Sequence, residues 1–437
     1  MRNPLPPLLA ALLAAGPALG AGPGVRADLS AEYDTRWAQM HAGDDETDQD
    51  LAVDLGLEAD RVAVEGLGFS GRLRYEADLD GTAEASPYKD NLDTYSNRDD
   101  WRLYRAVLSY DLPAGWARLE AGRQEVWSAE TVLFDGGLVR LTPCRWAQLE
   151  AFGGRRVSFY KDPEPNAVYG GNLDLRPLPG TLVSLEDVRY IENSFEARLV
   201  QDLQGWGTGR LGYRMVNADP QELSAALHLY PWAEAEVHAT YVRTLAEEGD
   251  DDFAYDYTSA DDHEVPYLTF EPLEPYADYT LTVRQGLFGK MGLGARLRHH
   301  NVIDEADEDT YNVDFDEGAL LFDLSDLPWV GLRLDAEAVR WVEDRNRSDI
   351  TEDNLWGVTV ALEQSWRGHA LGASFQRQAY DSDGRPRDSR AWEAWARVRL
   401  LENAALHLRY ARETDDLYRA DGVDALNTFT ARLNLTF

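Results

Sequence analysis

The chain has 437 residues and a single cysteine, Cys144, which excludes a disulfide framework and any cysteine metal cluster. Lysine is nearly absent, at Lys89, Lys161 and Lys290, so arginine supplies almost all of the 42 basic residues. Against these stand 78 Asp+Glu, a formal net charge of −36, and nucleic acid is excluded as the default partner because phosphate neutralisation needs a basic surface. No apolar run of roughly 20 residues follows the N-terminal segment, which excludes a polytopic helical membrane protein. Aromatic residues, by contrast, are plentiful at 11 %, too many for a disordered acidic chain.

Met1-Arg2-Asn3 is a short basic start, Pro4 to Leu19 is apolar, and Ala18-Leu19-Gly20 places small residues before Ala21. This is the layout of a secretory signal peptide over residues 1–20, leaving 21–437 as the exported part.

From Val25 onward the dominant pattern is strict alternation. Val25, Ala27, Leu29, Ala31 and Tyr33 fall on one face, and Arg26, Asp28, Ser30, Glu32 and Asp34 on the other. Phe69 to Leu79, Ala233 to Tyr241, Met291 to Leu297, Val330 to Ala338 and Leu406 to Tyr410 repeat it. Such segments are strands with one apolar and one charged face. About 22 strand-like segments can be counted, with short ones such as Leu182 to Tyr190 readable also as loops. Their connections alternate between short turns, such as Thr142-Pro143-Cys144 and Arg367-Gly368-His369, and long acidic stretches. The acidic stretches include His41 to Asp50, Gly81 to Asp100, Leu245 to Pro275 and Asn301 to Glu317.

The pattern predicts an all-β fold, a single large transmembrane antiparallel β-barrel. It would have an even strand number of about 16 to 22, short periplasmic turns and long acidic outer loops. The last residues, Phe429 to Phe437, alternate and end on an aromatic, resembling the assembly signal carried by Phe437 in outer-membrane proteins. The expected location is therefore the cell outer membrane. Expected partners are outer-membrane lipid and lipopolysaccharide, and the barrel assembly machinery through the C-terminal strand.

Strand parity places Arg72, Arg74, Arg118, Arg140, Arg210, Arg214, Arg296, Arg298, Arg333, Arg397 and Arg399 opposite the apolar faces, hence in the lumen. Carboxylates such as Glu76, Glu196, Asp335 and Glu337 share that face. Two readings follow: a pore in which anionic or sugar solutes exchange hydration for guanidinium contacts, and a self-neutralising lattice that stiffens the wall. The acidic outer loops could hold Ca²⁺, although Asp307-Glu308-Asp309 lacks the glycine-centred spacing of a calcium loop. No other cofactor is expected.

Gly122-Arg123-Gln124, followed after a loop by Phe134-Asp135-Gly136, resembles the alginate-export family of outer-membrane barrels, as do Val168-Tyr169-Gly170 and the Pro-Leu-Pro-Gly turn after them. The resemblance implies a monomeric barrel with a charged pore that in some members carries a uronate polysaccharide outward. The chain is thus expected to be a porin-like channel for diffusion or export of small or polymeric anionic or sugar solutes. The alternatives are a structural or receptor barrel without conductance, and a secreted soluble β-rich carbohydrate-binding protein. Catalysis is not expected: the candidate sets, Asp261-Asp262-His263 and His299-His300, lack a nucleophile motif.

Overall fold

The computed structural model describes residues 24–437 except 42–45, 61, 63, 81–98, 114, 158–166, 191, 247–274, 304–312, 327–328, 345–353 and 383–384. The segment read as a signal peptide, Asp261-Asp262-His263 and most of the long acidic stretches lie outside the described residues.

The described chain folds into 22 strands. The first eleven are β1 (Val25–Met40), β2 (Glu46–Asp60), β3 (Leu67–Asp78), β4 (Asp99–Asp111), β5 (Ala117–Trp127), β6 (Thr131–Cys144), β7 (Ala147–Arg156), β8 (Ala167–Leu175), β9 (Thr181–Arg189), β10 (Asn193–Asp202) and β11 (Gly207–Val216). The rest are β12 (Asp219–Leu229), β13 (Ala235–Thr244), β14 (Tyr276–Leu287), β15 (Met291–Val302), β16 (Phe315–Ser325), β17 (Leu332–Glu343), β18 (Leu355–Trp366), β19 (His369–Ser382), β20 (Arg385–Leu401), β21 (Ala404–Asp415) and β22 (Val423–Thr436). Each strand pairs antiparallel with its sequence neighbour, and β22 pairs back with β1. The sheet therefore closes into a barrel and leaves no edge strand unpaired. The strand number sits at the top of the range expected from the sequence. Closure extends to the last residue: the Phe437 N–H donates to the Ala27 carbonyl at 2.8 Å, and Ala27 returns a bond at 3.1 Å. A short helix, α1 (Asp416–Ala420), joins β21 to β22, and the Asp415 side chain caps it by accepting from the Leu417 N–H.

All odd-numbered strands run from the end that carries Val25 and Phe437 toward the opposite end. The connections at the terminal end are tight, with left-handed residues such as Gly205, Gly289 and Gly368 making the reversals. The opposite end is mixed. It carries the long connections, but also tight tips at 128–130 and 217–218. Strict alternation of short and long turns is thus corrected in this sector. Leu182 to Tyr190 resolves as strand β9 and not as a loop. Thr142-Pro143-Cys144 is not a turn but the end of β6, bulged between Leu141 and Cys144; a proline without an N–H is tolerated at such a bulge. Asp316 and Glu317, expected in an acidic loop, lie inside β16.

The wall has two kinds of strand. Strands β7 to β13 are 9 to 11 residues long. Strands β17 to β22, with β1 to β4, are 12 to 17 residues long.

The outside of the barrel is layered. Leu211, Leu281 and Leu320 are exposed at mid-height, and Leu119, Leu149 and Leu371 nearer the tight-turn end. Trp116, Trp146, Trp206, Trp232, Trp329 and Trp366 are exposed at the tight-turn end, and Trp101, Trp127, Tyr169, Tyr279, Trp356 and Trp392 toward the other. An aliphatic band between two aromatic girdles is the surface that a lipid bilayer requires of a barrel.

Candidate functional site

The tip of the β5–β6 hairpin fixes which face is the inside. Ser128 Oγ donates to Asn172 Oδ1 on β8 at 2.5 Å. Glu130 Oε1 accepts from Ser194 Oγ on β10 at 2.8 Å and from Arg214 Nη2 on β11 at 2.6 Å. A hairpin can reach strands that far round the wall only across the interior. The face that bears Asn172, Ser194 and Arg214 is therefore the lumen face, and the register carries that assignment around the barrel.

All eleven arginines expected in the lumen lie on this face. Eight of them pair with carboxylates. Arg72 lies 3.7 Å from Asp54, and Arg74 is 2.6 Å from Glu76. Arg118 bridges Glu120 at 2.7 Å and Asp111 at 3.2 Å, and Arg140 meets Glu150 at 2.5 Å. Arg214 meets the hairpin's Glu130. Arg296 spans Glu317 and Glu337, both at 2.7 Å, Arg298 meets Asp278 at 2.6 Å, and Arg333 meets Asp335 at 2.8 Å. Arg210, Arg397 and Arg399 make no ion pair among the described residues. All three sit on the tight-turn half of their strands, where β20, β21 and β22 also set Arg397, His407 and Arg432 side by side.

The lumen wall is thus largely an ion-pair lattice, with unpaired guanidinium charge concentrated near one mouth. Sequence parity alone overlooked further inward arginines, among them Arg36, Arg102, Arg105 and Arg284. Arg36 gathers Asp34, Asp48 and Asp50 at 3.1 to 3.6 Å. Arg102 and Arg105 are three positions apart yet both face inward, because β4 bulges between them: Arg72 pairs with Arg105 and Leu73 with Leu103, so the register skips Tyr104. Simple alternation assigns those two side chains to opposite faces.

One sector of the inner face is not polar, which corrects the expectation of a charged lumen throughout. Val126, Val132, Phe134, Leu138, Phe152, Val168 and Val188 form a buried cluster on β5 to β9, closed from above by Ala129 of the hairpin tip. Gly122, Gly136 and Gly154 face each other on adjacent strands. A Cβ on Gly136 would lie 2.2 Å from the Gly153 carbonyl oxygen, and Gly122 adopts φ +129° with the Ala106 carbonyl 2.0 Å from any Cβ. Only glycine permits strand backbones to approach so closely. Beside the cluster, Ser128, Glu130, Glu196, Arg214, Glu222 and Ser224 line a polar cavity of about 320 Å³ under the tip.

The family-like residues divide between faces. Gly122, Gln124, Phe134 and Gly136 face inward, and Gln124 and Phe134 are fully buried. Arg123 and Asp135 face outward, paired by two bonds of 2.8 Å. The register runs without a shift through Gly122, so neither reaches the lumen. His299 and His300 also point to opposite faces. His299 meets Asp316 outside at 2.9 Å, while His300 stacks on Phe315 inside at 4.9 Å, so they cannot act as a pair. Among the described residues no group of His, Cys, Asp or Glu is arranged to hold a metal ion.

No family model matches the chain, so the alginate-export resemblance gains no support there, and no curated protein matches it. Solved structures align along nearly its whole length. Acinetobacter baumannii OccAB2 is 9 % identical over 94 % of this chain and 98 % of that one, with a TM-score of 0.48. Pseudomonas aeruginosa OccK5 (OpdH) is 10 % identical over 95 % and 98 %, TM-score 0.44. A BenF-like porin from Pseudomonas fluorescens Pf-5 is 10 % identical over 94 % and 99 %, TM-score 0.44. At this level a likeness assigns no role to any residue of this chain.

Proposed function

We propose that the chain is a channel of the bacterial outer membrane, passing small polar solutes, anions and sugars among them, through the barrel lumen. The observation that carries this reading is the division of one closed wall into two faces. Outside, aliphatic side chains lie between aromatic girdles. Inside, apart from the apolar sector on β5 to β9, guanidiniums pair with carboxylates along the wall. Such an interior has no use in a soluble sandwich, whose inner face is apolar. In a membrane it supports a water-filled path. Arg210, Arg397 and Arg399 supply the positive charge that would draw anions at the tight-turn mouth, and export of a polymeric anion is the extension implied by the alginate-export resemblance. The tight turns face the periplasm in this reading, and the strand ending at Phe437 is offered to the assembly machinery.

The test is single-channel recording of the refolded protein in a planar bilayer under a salt gradient. Discrete steps with a reversal potential of anion-selective sign are expected. Silence from folded protein would overturn the channel reading, and a cation-selective potential would overturn the role of the inner arginines.

A further inference from the structure

The outward face holds a second charge pattern, confined to the long-loop half of the tall strands. Arg340 on β17, Arg377 on β19, Arg390 on β20 and Arg412 on β21 all point outward and are exposed. On the tight-turn half of the same face the corresponding residues are Leu334, Leu362, Leu371 and Leu408. Arg377 and Arg390 are direct cross-strand partners, an arrangement of like charges that destabilises a sheet unless an anion lies between them. Asp388 does part of that work, accepting from Arg377 at 2.8 Å and lying 2.6 Å from Arg390. Arg340 makes no hydrogen bond or ion pair among the described residues, and Arg412 reaches only Gln39 Oε1, at 3.3 Å. The four guanidiniums surround an aromatic floor: Arg377 lies 5.8 Å over the Trp356 ring, and Phe375 and Trp392 pack at 4.2 Å.

We infer that this face, on β17 to β21, binds the phosphate-bearing headgroup of a lipid in the leaflet at the long-loop end; the inference rests on the channel reading only in placing the barrel in a membrane. Arginine suits the task because its planar fork binds phosphate oxygens two at a time. The height suits it as well. The guanidiniums lie level with the Trp356 and Trp392 girdle, where headgroups begin, while the rings accept the apolar part of the lipid. Arginines that merely extend toward water would need neither the facing pair nor the aromatic floor.

The test titrates the full-length refolded barrel, in neutral detergent, with bis-phosphorylated lipid A and with the same lipid dephosphorylated. Binding is read as lipid adducts by native mass spectrometry. The wild type should bind the phosphorylated lipid at least tenfold more tightly than the dephosphorylated one. The R340Q/R377Q/R390Q/R412Q variant should lose that tenfold while keeping wild-type conductance, since all four side chains lie outside the lumen. The variant R377K/R390K, which keeps charge but not the fork, should fall between, and it serves if the quadruple variant does not fold. Equal binding of the two lipids, or an unchanged affinity in the variants, would overturn the inference. So would displacement of the lipid by inorganic phosphate alone, which would mark a site for the free anion. A barrel that binds the lipid as described but passes no current would sink the channel reading and leave this one standing.

Discussion

The two sectors of the lumen wall solve the same problem by different physics. From β5 to β9 the long-loop half of the inner face is packed: a buried apolar cluster, a row of facing glycines and a hairpin folded over both. From β14 round to β4 it is electrostatic: half-exposed arginines tied to carboxylates, with the side chains of β15, β16 and β17 joined through Arg296. Packing stabilises through contacts that water cannot replace. Half-exposed ion pairs contribute up to about 1 kcal/mol each, and salt screens them. The packed sector should therefore hold the barrel's shape, and the charged sector should set what passes.

The largest effect should come from emptying the packed sector. Phe134 is fully buried against Phe152, ring centres 5.6 Å apart, and truncating a core Phe to Ala costs about 3–5 kcal/mol. Phe134→Ala should lower the urea midpoint of the barrel in lipid vesicles by a corresponding amount. Glu337→Gln in the charged sector should move it by less than about 1 kcal/mol. Equal shifts would erase the distinction. Next in size is the hairpin. Glu130→Gln removes the charge from two hydrogen bonds to Ser194 and Arg214, and charge-assisted bonds of this kind are worth about 1.5–3 kcal/mol. The hairpin should then leave the wall in a measurable fraction of molecules. Single-channel records should show added flicker, with a fall in the unfolding midpoint smaller than that of Phe134→Ala. A quiet trace would mean that the apolar contact of Ala129 suffices to hold the tip.

Much of the fold was legible because a barrel strand announces itself by period two, and the eleven arginines followed from parity alone. What escaped is what parity cannot carry. A bulge at Tyr104 turns Arg102 and Arg105 to the same side, and another beside Pro143 extends β6 through an apparent turn. The folded-in hairpin was invisible for a different reason. Ser128-Ala129-Glu130 reads like any polar tip, and its meaning lies in Arg214, 84 positions away, which only register brings within reach. The apolar inner patch was hidden too, because Phe134-Asp135-Gly136-Gly137 places glycine on both faces and so mutes the alternation.

The charged sector can be probed without unfolding anything. Arg72 and Arg74 share Asp54, and changing both to Glu replaces a neutralised cluster by a strongly negative one. The reversal potential under a salt gradient should move toward cation selectivity, whereas reversal of Arg123, outside the lumen, should leave it in place. An unmoved potential in the first variant would place the selective constriction in the packed sector instead.

The smallest expected effect lies at the rim of the same sector, just beyond β3. Asp80 accepts from the Gln49 N–H at 3.0 Å and from Thr47 Oγ1 at 3.4 Å. Burial pushes its carboxyl above the usual range, and neighbouring Asp78 adds to this, outweighing those bonds. A carboxyl whose pKa rises on folding binds its proton more tightly in the native state. Its contribution is thus favourable below the ordinary carboxylate range and is lost as pH rises through the raised value. At neutral pH the ionised Asp80 slightly opposes folding of the β2–β3 rim. Asp80→Asn keeps the acceptor oxygen and removes the charge. Hydrogen exchange of the Gln49 and Leu79 amides should then slow at pH 7 and stay unchanged near pH 3. Faster exchange at pH 7 would mean that the carboxylate's bonds to Gln49 and Thr47 outweigh its burial. The rim would then be held, like the ladder below it, by charge.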